Sequence, residues 1–253
     1  MHALAGIYGR RCEPASRNAI QTDRMSGGAE SHGPQDRPAP RMDAMSTWRP
    51  PDDAPPVPWS RIAESLRRPQ LWPSPHKLSP RIPENPRRAA VGVILWGDPA
   101  GARKVVLVQR GFGAPQHPGE IAFPGGMVEP GDRDLPATAR REVAEELGLA
   151  KGLWELGCFP DGVAKARVRF TPVFFRWEEP APTFHLDREL EQALMLPLAP
   201  LLEAPWTLER IDRHGLALDV PRLELAMDAW AAPLWGATAY VFKSWLDVLI
   251  TCP

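Results

Sequence analysis

The sequence predicts an α/β domain starting near Arg87, behind a polar, proline-rich extension. Three features predict it. Two apolar-rich runs, Ala89–Trp96 and Lys104–Gln109 (KVVLVQ), flank a Gly/Asp/Pro turn and read as a strand hairpin. A shorter strand, Glu120–Phe123, runs into the double-glycine bend Gly125-Gly126. Leu135, Ala139, Val143 and Leu147 then recur every four residues, the spacing of an amphipathic helix. Strands followed by a helix with one apolar stripe pack as layers around a shared core.

With 253 residues, 43% hydrophobic and 24% charged, the chain has the make-up of a soluble protein with one catalytic-sized domain plus an extension. A net charge of −1 gives no attraction to nucleic acid or to an anionic membrane surface. Cys12, Cys158 and Cys252 lie far apart, without metal-knuckle spacing or a disulfide framework, which favours a reducing compartment. The longest apolar run falls well short of the roughly 20 residues of a membrane helix. Residues 1–11 are too short, and too soon interrupted by Arg10-Arg11, for a secretory signal. A cytoplasmic protein is expected.

Fifteen of the 31 prolines precede Arg87. Residues 1–58, with few large apolar groups, cannot bury enough surface to offset their ordering entropy and are expected to be disordered. A true start at Met42 or Met45 would equally account for the first forty-odd residues. Residues 59–86 read as a short amphipathic helix, Trp59–Leu66, and an extended connector. Residues 87–253 form the domain, without internal repeats.

After the hairpin comes a Gly/Pro-rich loop, Gly111–Gly119, then the short strand and the bend, and Glu129-Pro130-Gly131-Asp132 as a turn. Asp134 can cap the next helix, Pro136 is tolerated in its first turn, and Gly148 suits the residue past its end. At 100° per residue Glu142 and Glu146 stack one above the other, with Glu145 beside them and Arg141 placed to pair with Glu145. Glu146 lies about 40° from the centre of the apolar stripe, so it is expected to be partly buried. A buried carboxylate stacked on another is unfavourable without positive charge between them, and a hard divalent cation would supply it. Taken alone, the same run is a solvated, Glu-rich helix face. Its place after a Gly-rich bend, where backbone can approach a phosphate closely, favours the cation.

These residues resemble the Nudix hydrolases, whose box is G-x5-E-x7-R-E-U-x-E-E-x-G-U, with U apolar. Gly126–Leu149 reads GMVEPGDRDLPATARREVAEELGL and matches the second half in full from Arg141. Asp132 stands where the box has Glu, and eight residues rather than seven separate it from Arg141. Both departures are similar to the coenzyme A pyrophosphatase branch, with its G-G-x-x-D-P-x-D-x-D-L-x-x-T-A form. That branch also carries L-L-T-x-R-[SA]-x3-R-x3-G-x3-F-P-G-G. Here Arg110, Gly119 and Phe123-Pro124-Gly125-Gly126 match, while Val108, Gly111 and Pro115 depart, Pro115 replacing the second Arg. Phe170-Thr171-Pro172-Val173, Glu189-Leu190 and Leu234–Ala239 extend the resemblance over roughly residues 87–250.

The resemblance implies a Nudix fold, an α/β/α sandwich with a mixed β-sheet and the box helix on one face. It implies hydrolysis of a nucleoside diphosphate conjugate, coenzyme A or a derivative, with Mg2+ or Mn2+. Glu142 and Glu146 would hold the metal, Glu145 would be a third ligand or the partner of Arg141, Arg141 would fix the helix carboxylates, and Asp132 would anchor the loop. Gly125 and Gly126 would let substrate phosphates approach. A later acidic residue often supplies the general base in this fold: Glu189 is the candidate, with Asp187 and Glu191 as rivals, although these residues also read as a solvated helix start. Arg110 and His117 are candidate phosphate contacts, or a strand-end charge and an uninvolved loop histidine. Arg103 could stand in for the missing arginine. Cys158 reads as a core residue rather than a nucleophile, and Trp230 and Trp235 as packing or as a stack for adenine. The partner is a small molecule, with no nucleic acid or membrane and a homodimer left open. The alternatives are a pyrophosphatase for ADP-ribose or another conjugate, and a non-catalytic Nudix-like nucleotide-binding module.

Overall fold

An eleven-residue strand buried on both faces organises the domain. The computed structural model describes residues 48, 55–68, 85–97, 103–115, 117–164, 168–177, 180, 183–213, 216–227 and 230–252. In strand β1 (Arg87–Gly97), Ala89, Val93 and Leu95 enter one apolar cluster, while Ala90, Ile94 and Trp96 enter clusters on the opposite face. This period-two division explains why β1 reads as a continuous apolar run: it has no solvent face.

Strand β2 (Arg103–Arg110) pairs antiparallel with β1 only from Ile94 to Gly97. Beyond that point β3 (Ile121–Ala122) takes the edge of β2 and β4 (Gly125–Met127) takes the edge of β1. The two long strands therefore part around the Ile121–Met127 segment. The remaining strands of this sheet are β5 (Leu153–Cys158), β6 (Gly162–Ala164), β7 (Val168–Trp177) and β8 (Leu190–Pro197). The sheet is mixed, since β7 runs parallel to β1 while the other pairings are antiparallel.

Helix α1 (Trp59–Ser65) opens the described domain, and α2 (Leu135–Leu147) lies across β1 and β7. A short α3 (Leu198–Leu202) leads into a second sheet of β9 (Thr207–Arg213), β10 (Leu216–Met227) and β11 (Trp230–Leu234), and α4 (Gly236–Thr251) covers the face opposite α2. Helices on both faces of a mixed sheet are the expected α/β/α arrangement. Phe242 and Trp245 of α4 pack with Phe174 and Phe123, and Trp245 donates its indole N–H to Ser65 Oγ at 2.9 Å. Arg61 donates from Nε to the Leu249 and Cys252 carbonyls at 2.9 Å, closing the end of α4. No helix among the described residues is long and apolar enough to cross a membrane.

One feature departs from the sequence reading. Residues 187–190 form a turn into β8 rather than a helix start. Cys252 is a free, buried thiol. Most of the predicted extension and connector (1–47, 49–54, 69–84) lies outside the described residues. Trp48 pairs its backbone with Glu224 and Ala226 of β10, and Val57 is 3% exposed in the main core. Deleting residues 1–44 is therefore expected to leave melting temperature and turnover unchanged. Deleting 1–58 removes Val57, at about 1.5–3 kcal/mol for a buried aliphatic side chain, and is expected to lower the melting temperature by several degrees. Calorimetry on both truncations decides it, and an equal drop in the shorter one would show that residues before Met45 dock on the domain.

Candidate active site

The caps of α2 set its position. Asp134 accepts the Ala137 N–H at 2.8 Å, Pro136 occupies the first turn, and Gly148 closes the helix at φ 73°. The helix lies so close to β1 that a Cβ on Gly92 would sit 2.6 Å from Val143 Cγ2. This approach presses Glu142 and Glu146 against the Gly125-Gly126 bend. A Cβ on Gly126 would meet Glu142 Oε1 at 2.3 Å, and one on Gly125 would meet the Ala90 carbonyl at 2.5 Å. Gly125 is required by space, because its Cβ would meet backbone, whereas a Cβ on Gly126 would meet only the end of the Glu142 side chain and turn it away. The Gly125 N–H donates to Glu146 Oε2 at 3.0 Å.

Arg141 gathers the acidic groups. It donates from Nη1 to Glu142 Oε1 at 2.9 Å and Glu145 Oε2 at 3.0 Å, and from Nη2 to the Met127 carbonyl at 2.8 Å and Asp132 Oδ2 at 3.1 Å. Asp132 also accepts the Glu129 N–H and the Thr138 hydroxyl, each at 2.9 Å. Burial pushes the Asp132 carboxyl up, but Arg141, Glu129 and Thr138 together hold it below the usual range. Asp132 therefore ties the loop to the helix, as its place in the motif implied.

Burial raises the carboxyl of Glu142 against the attraction and hydrogen bond of Arg141, and smaller repulsions from Glu145 and Glu129 act in the same direction as burial. Glu146 is pushed up to about 7, mainly by burial, with Glu142 and Asp187 adding to it against the Gly125 N–H and Arg110. The expectation of a partly buried Glu146 is met. Among the described residues no three His, Cys, Asp or Glu side chains converge at metal-ligand spacing, and Glu142 and Glu145 are both held by Arg141.

A cavity of about 280 Å3 opens where β1 and β2 part. Glu146, Gly125, Gly126, Arg110, His117 and Trp235, all singled out from sequence, line this one cavity. Val91, Met127, Phe170 and Trp235 form an apolar wall. Glu142 packs behind Gly126, Glu145 is exposed, and neither lines the cavity. Glu189 does not line it either; its Oε2 accepts from Arg110 Nη2 at 2.5 Å. Arg103 is at the opposite end of β2, with its guanidinium 4.6 Å over the Trp59 ring, so it cannot replace the missing arginine. The side chain of Trp230 lies outside the described residues. Glu120 was not singled out from sequence, yet it lines the cavity and pairs with His117, Nδ1 to Oε2 at 2.8 Å. Its one sequence signal is its position between the Gly119 turn and β3.

The description "NUDIX domain" matches this chain over residues 86–217. Nudix hydrolase 15, mitochondrial, of Arabidopsis thaliana is 41% identical over 27% of this chain and 24% of its own length. Peroxisomal coenzyme A diphosphatase ndx-8 of Caenorhabditis elegans is 35% identical over 46% of this chain and 50% of its own. A NudL Nudix hydrolase of Shigella flexneri is 31% identical over 64% of this chain and 83% of its own. The chain spans between about a quarter and a half of the length of the first curated relatives it matches. Among solved structures, a binary complex of C. elegans Ap4A hydrolase aligns with a TM-score of 0.39 at 25% identity, covering 46% of this chain and 83% of that one.

Proposed function

This chain belongs to the Nudix family, and on that premise we propose that it hydrolyses the diphosphate bond of a nucleoside diphosphate conjugate, coenzyme A or a derivative, with Mg2+ or Mn2+ in the cytoplasm. The observation that carries the reading is Glu146: a carboxylate buried beside Glu142, lining a cavity that also presents Arg110 and the Gly125-Gly126 bend. The donor set fits a hard divalent cation, being carboxylate oxygens crowded enough to repel one another. Glu142 and Glu146 would hold it, and Glu145 would join them on leaving Arg141. Such a cation lowers the pKa of a bound water and offsets charge on the phosphates.

The chain's own groups do the rest. Arg110, kept in place by Glu189, would bind a phosphate oxygen by a charge-assisted hydrogen bond. Gly125 and Gly126 let a phosphate approach the backbone, and Arg141 with Asp132 keeps bend and helix in register. The apolar wall at Trp235 and Phe170 suits a nucleobase or an aliphatic arm. Intact Glu142, Glu145 and Glu146 favour catalysis over a binding-only role.

Pro115, standing where the branch signature has its second Arg, keeps ADP-ribose as the second reading. One arginine–phosphate contact is worth about 1.5–3 kcal/mol, or roughly ten- to a hundred-fold. The protein is therefore expected to discriminate weakly between coenzyme A and dephospho-coenzyme A. Comparing kcat/KM for these two and ADP-ribose under one metal condition tests it. A preference for coenzyme A above about a hundred-fold would show that the loop reads that phosphate without a second Arg. Turnover of ADP-ribose alone would establish the second reading.

A further inference from the structure

Hydrolysis of a diphosphate needs a group to take a proton from the attacking water. Glu189, the sequence candidate, is engaged by Arg110 and stands off the cavity wall. His117 and Glu120 line that wall, in the same space as Glu146 and the Gly125-Gly126 bend. With Glu120 Oε2 accepting at 2.8 Å, His117 Nδ1 carries the hydrogen, which makes Nε2 the nitrogen whose lone pair can take a proton. A carboxylate orienting an imidazole in this way is the arrangement that makes histidine an effective base.

The backbone also marks this residue. Among the described residues His117 is the one non-glycine at positive φ, 55°, a conformation costing about 1–2 kcal/mol in an L-residue. The loop sustains it with hydrogen bonds from Glu120 N to the His117 carbonyl at 3.2 Å, from Gly119 N to the Arg110 carbonyl at 3.0 Å, and from Arg110 N to the Glu120 carbonyl at 3.0 Å. Gln109 Nε2 adds a fourth to the Gly119 carbonyl at 3.2 Å. Strain held by this many bonds clusters at functional sites.

We propose that His117, held in one tautomer by Glu120, is the general base of the diphosphate hydrolysis, a role that rests on the hydrolase reading above. The water oxygen bonds to one phosphorus as a proton passes to His117 Nε2. The bridging P–O bond breaks, its electron pair staying on the leaving phosphate, so that two phosphomonoesters form. His117 then releases its proton to solvent, and the new phosphate hydroxyl releases the second. The charged groups sharing the cavity with His117 are Glu120, Arg110 from β2 and Glu146 from α2, with Glu189 reaching in through Arg110.

The test uses the full chain with coenzyme A, dephospho-coenzyme A and ADP-ribose. His117→Asn suits positive φ. It is expected to lower kcat about a hundred-fold or more and keep KM within about threefold. His117→Gly removes the strain and leaves a void in which added imidazole restores turnover. Independently of turnover, 1H–15N spectra of the metal-free protein are expected to show the neutral His117 ring protonated on Nδ1, a preference that Glu120→Ala should abolish. A rise in KM at unchanged kcat would make His117 a phosphate contact. A loss of kcat with no imidazole rescue in His117→Gly would make it structural. Either overturns the proposal while leaving the hydrolase reading standing. A wild-type protein that cleaves none of the three conjugates with Mg2+ or Mn2+ overturns both.

Discussion

The Glu146→Gln protein is expected to lose about a thousand-fold in turnover, roughly 4 kcal/mol of barrier, while its metal-free form becomes more stable. The amide keeps the size of the side chain and an oxygen to accept the Gly125 N–H, and it removes the charge that would hold a cation. The stability change has a definite pH signature. The folded-state value of about 7 lies above the ordinary 4.5, so between those values the folded protein keeps a proton the unfolded chain has released. Stability from this group therefore falls as pH rises from 4.5 to 7 and stays reduced above it. The penalty relieved by the substitution is on the order of 1–3 kcal/mol at pH 8 and vanishes near pH 4.5. Melting curves of wild type and variant at both pH values, with and without Mg2+, check it. The metal should raise the wild-type melting temperature and leave that of the variant nearly unchanged. Near-native turnover in Glu146→Gln would remove α2 from the chemistry.

Arg141→Gln is expected to damage fold and activity together. Its guanidinium joins Asp132, the Met127 carbonyl, Glu142 and Glu145, and the Asp132 side chain is only 6% exposed. Removing one partner of a buried ion pair strands the other. With Arg141 itself 21% exposed, a loss of about 2–4 kcal/mol follows, and a melting temperature lower by roughly 5–15 °C. Turnover should fall about a hundred-fold, since Glu142 and Glu145 lose the group that holds them. Arg141→Lys should recover little, because an ammonium cannot reproduce the two-sided fork. Asp132 supplies a second check. Its depressed folded-state value contributes stability that is full above the ordinary 3.8 and is lost as pH falls below it. Wild type should lose this contribution in acid, whereas Arg141→Gln should have lost most of it at every pH. Additive effects of Arg141→Gln and Asp132→Asn would show that the two residues act separately.

Local chemistry was legible in the sequence where it acts over a few residues. Asp134, Pro136 and Gly148 set the ends of α2 as capping rules require, and the four-residue stripe through Val143 set its buried face. The β1–β2 hairpin followed from two apolar runs and a turn. The parting of β1 and β2 around Ile121–Met127 was not legible, because it depends on pairings between distant strands. The sheet of β9, β10 and β11 was missed for the same reason: its buried residues, such as Leu223 and Leu225, join a core built by α4 and β1. Residues 187–190 misled because alternating charges fit a helix start as well as the turn before β8. Within the site, Gly125, Gly126, Arg110 and Glu146 were found through their motif and His117 only as a histidine in a Gly/Pro-rich loop, whereas Glu120 shows its importance only through the cavity and its bond to His117.

The central claim is that the carboxylates of α2 hold a cation for cleavage of a diphosphate. 31P NMR of coenzyme A with the full-length protein tests it most directly, in Mg2+ and in excess chelator, alongside Glu142→Gln and Glu146→Gln. The diphosphate signals should give way to two phosphomonoesters with wild type and Mg2+, and persist in chelator and with either variant. Undiminished cleavage in chelator, or by both variants, would contradict the account.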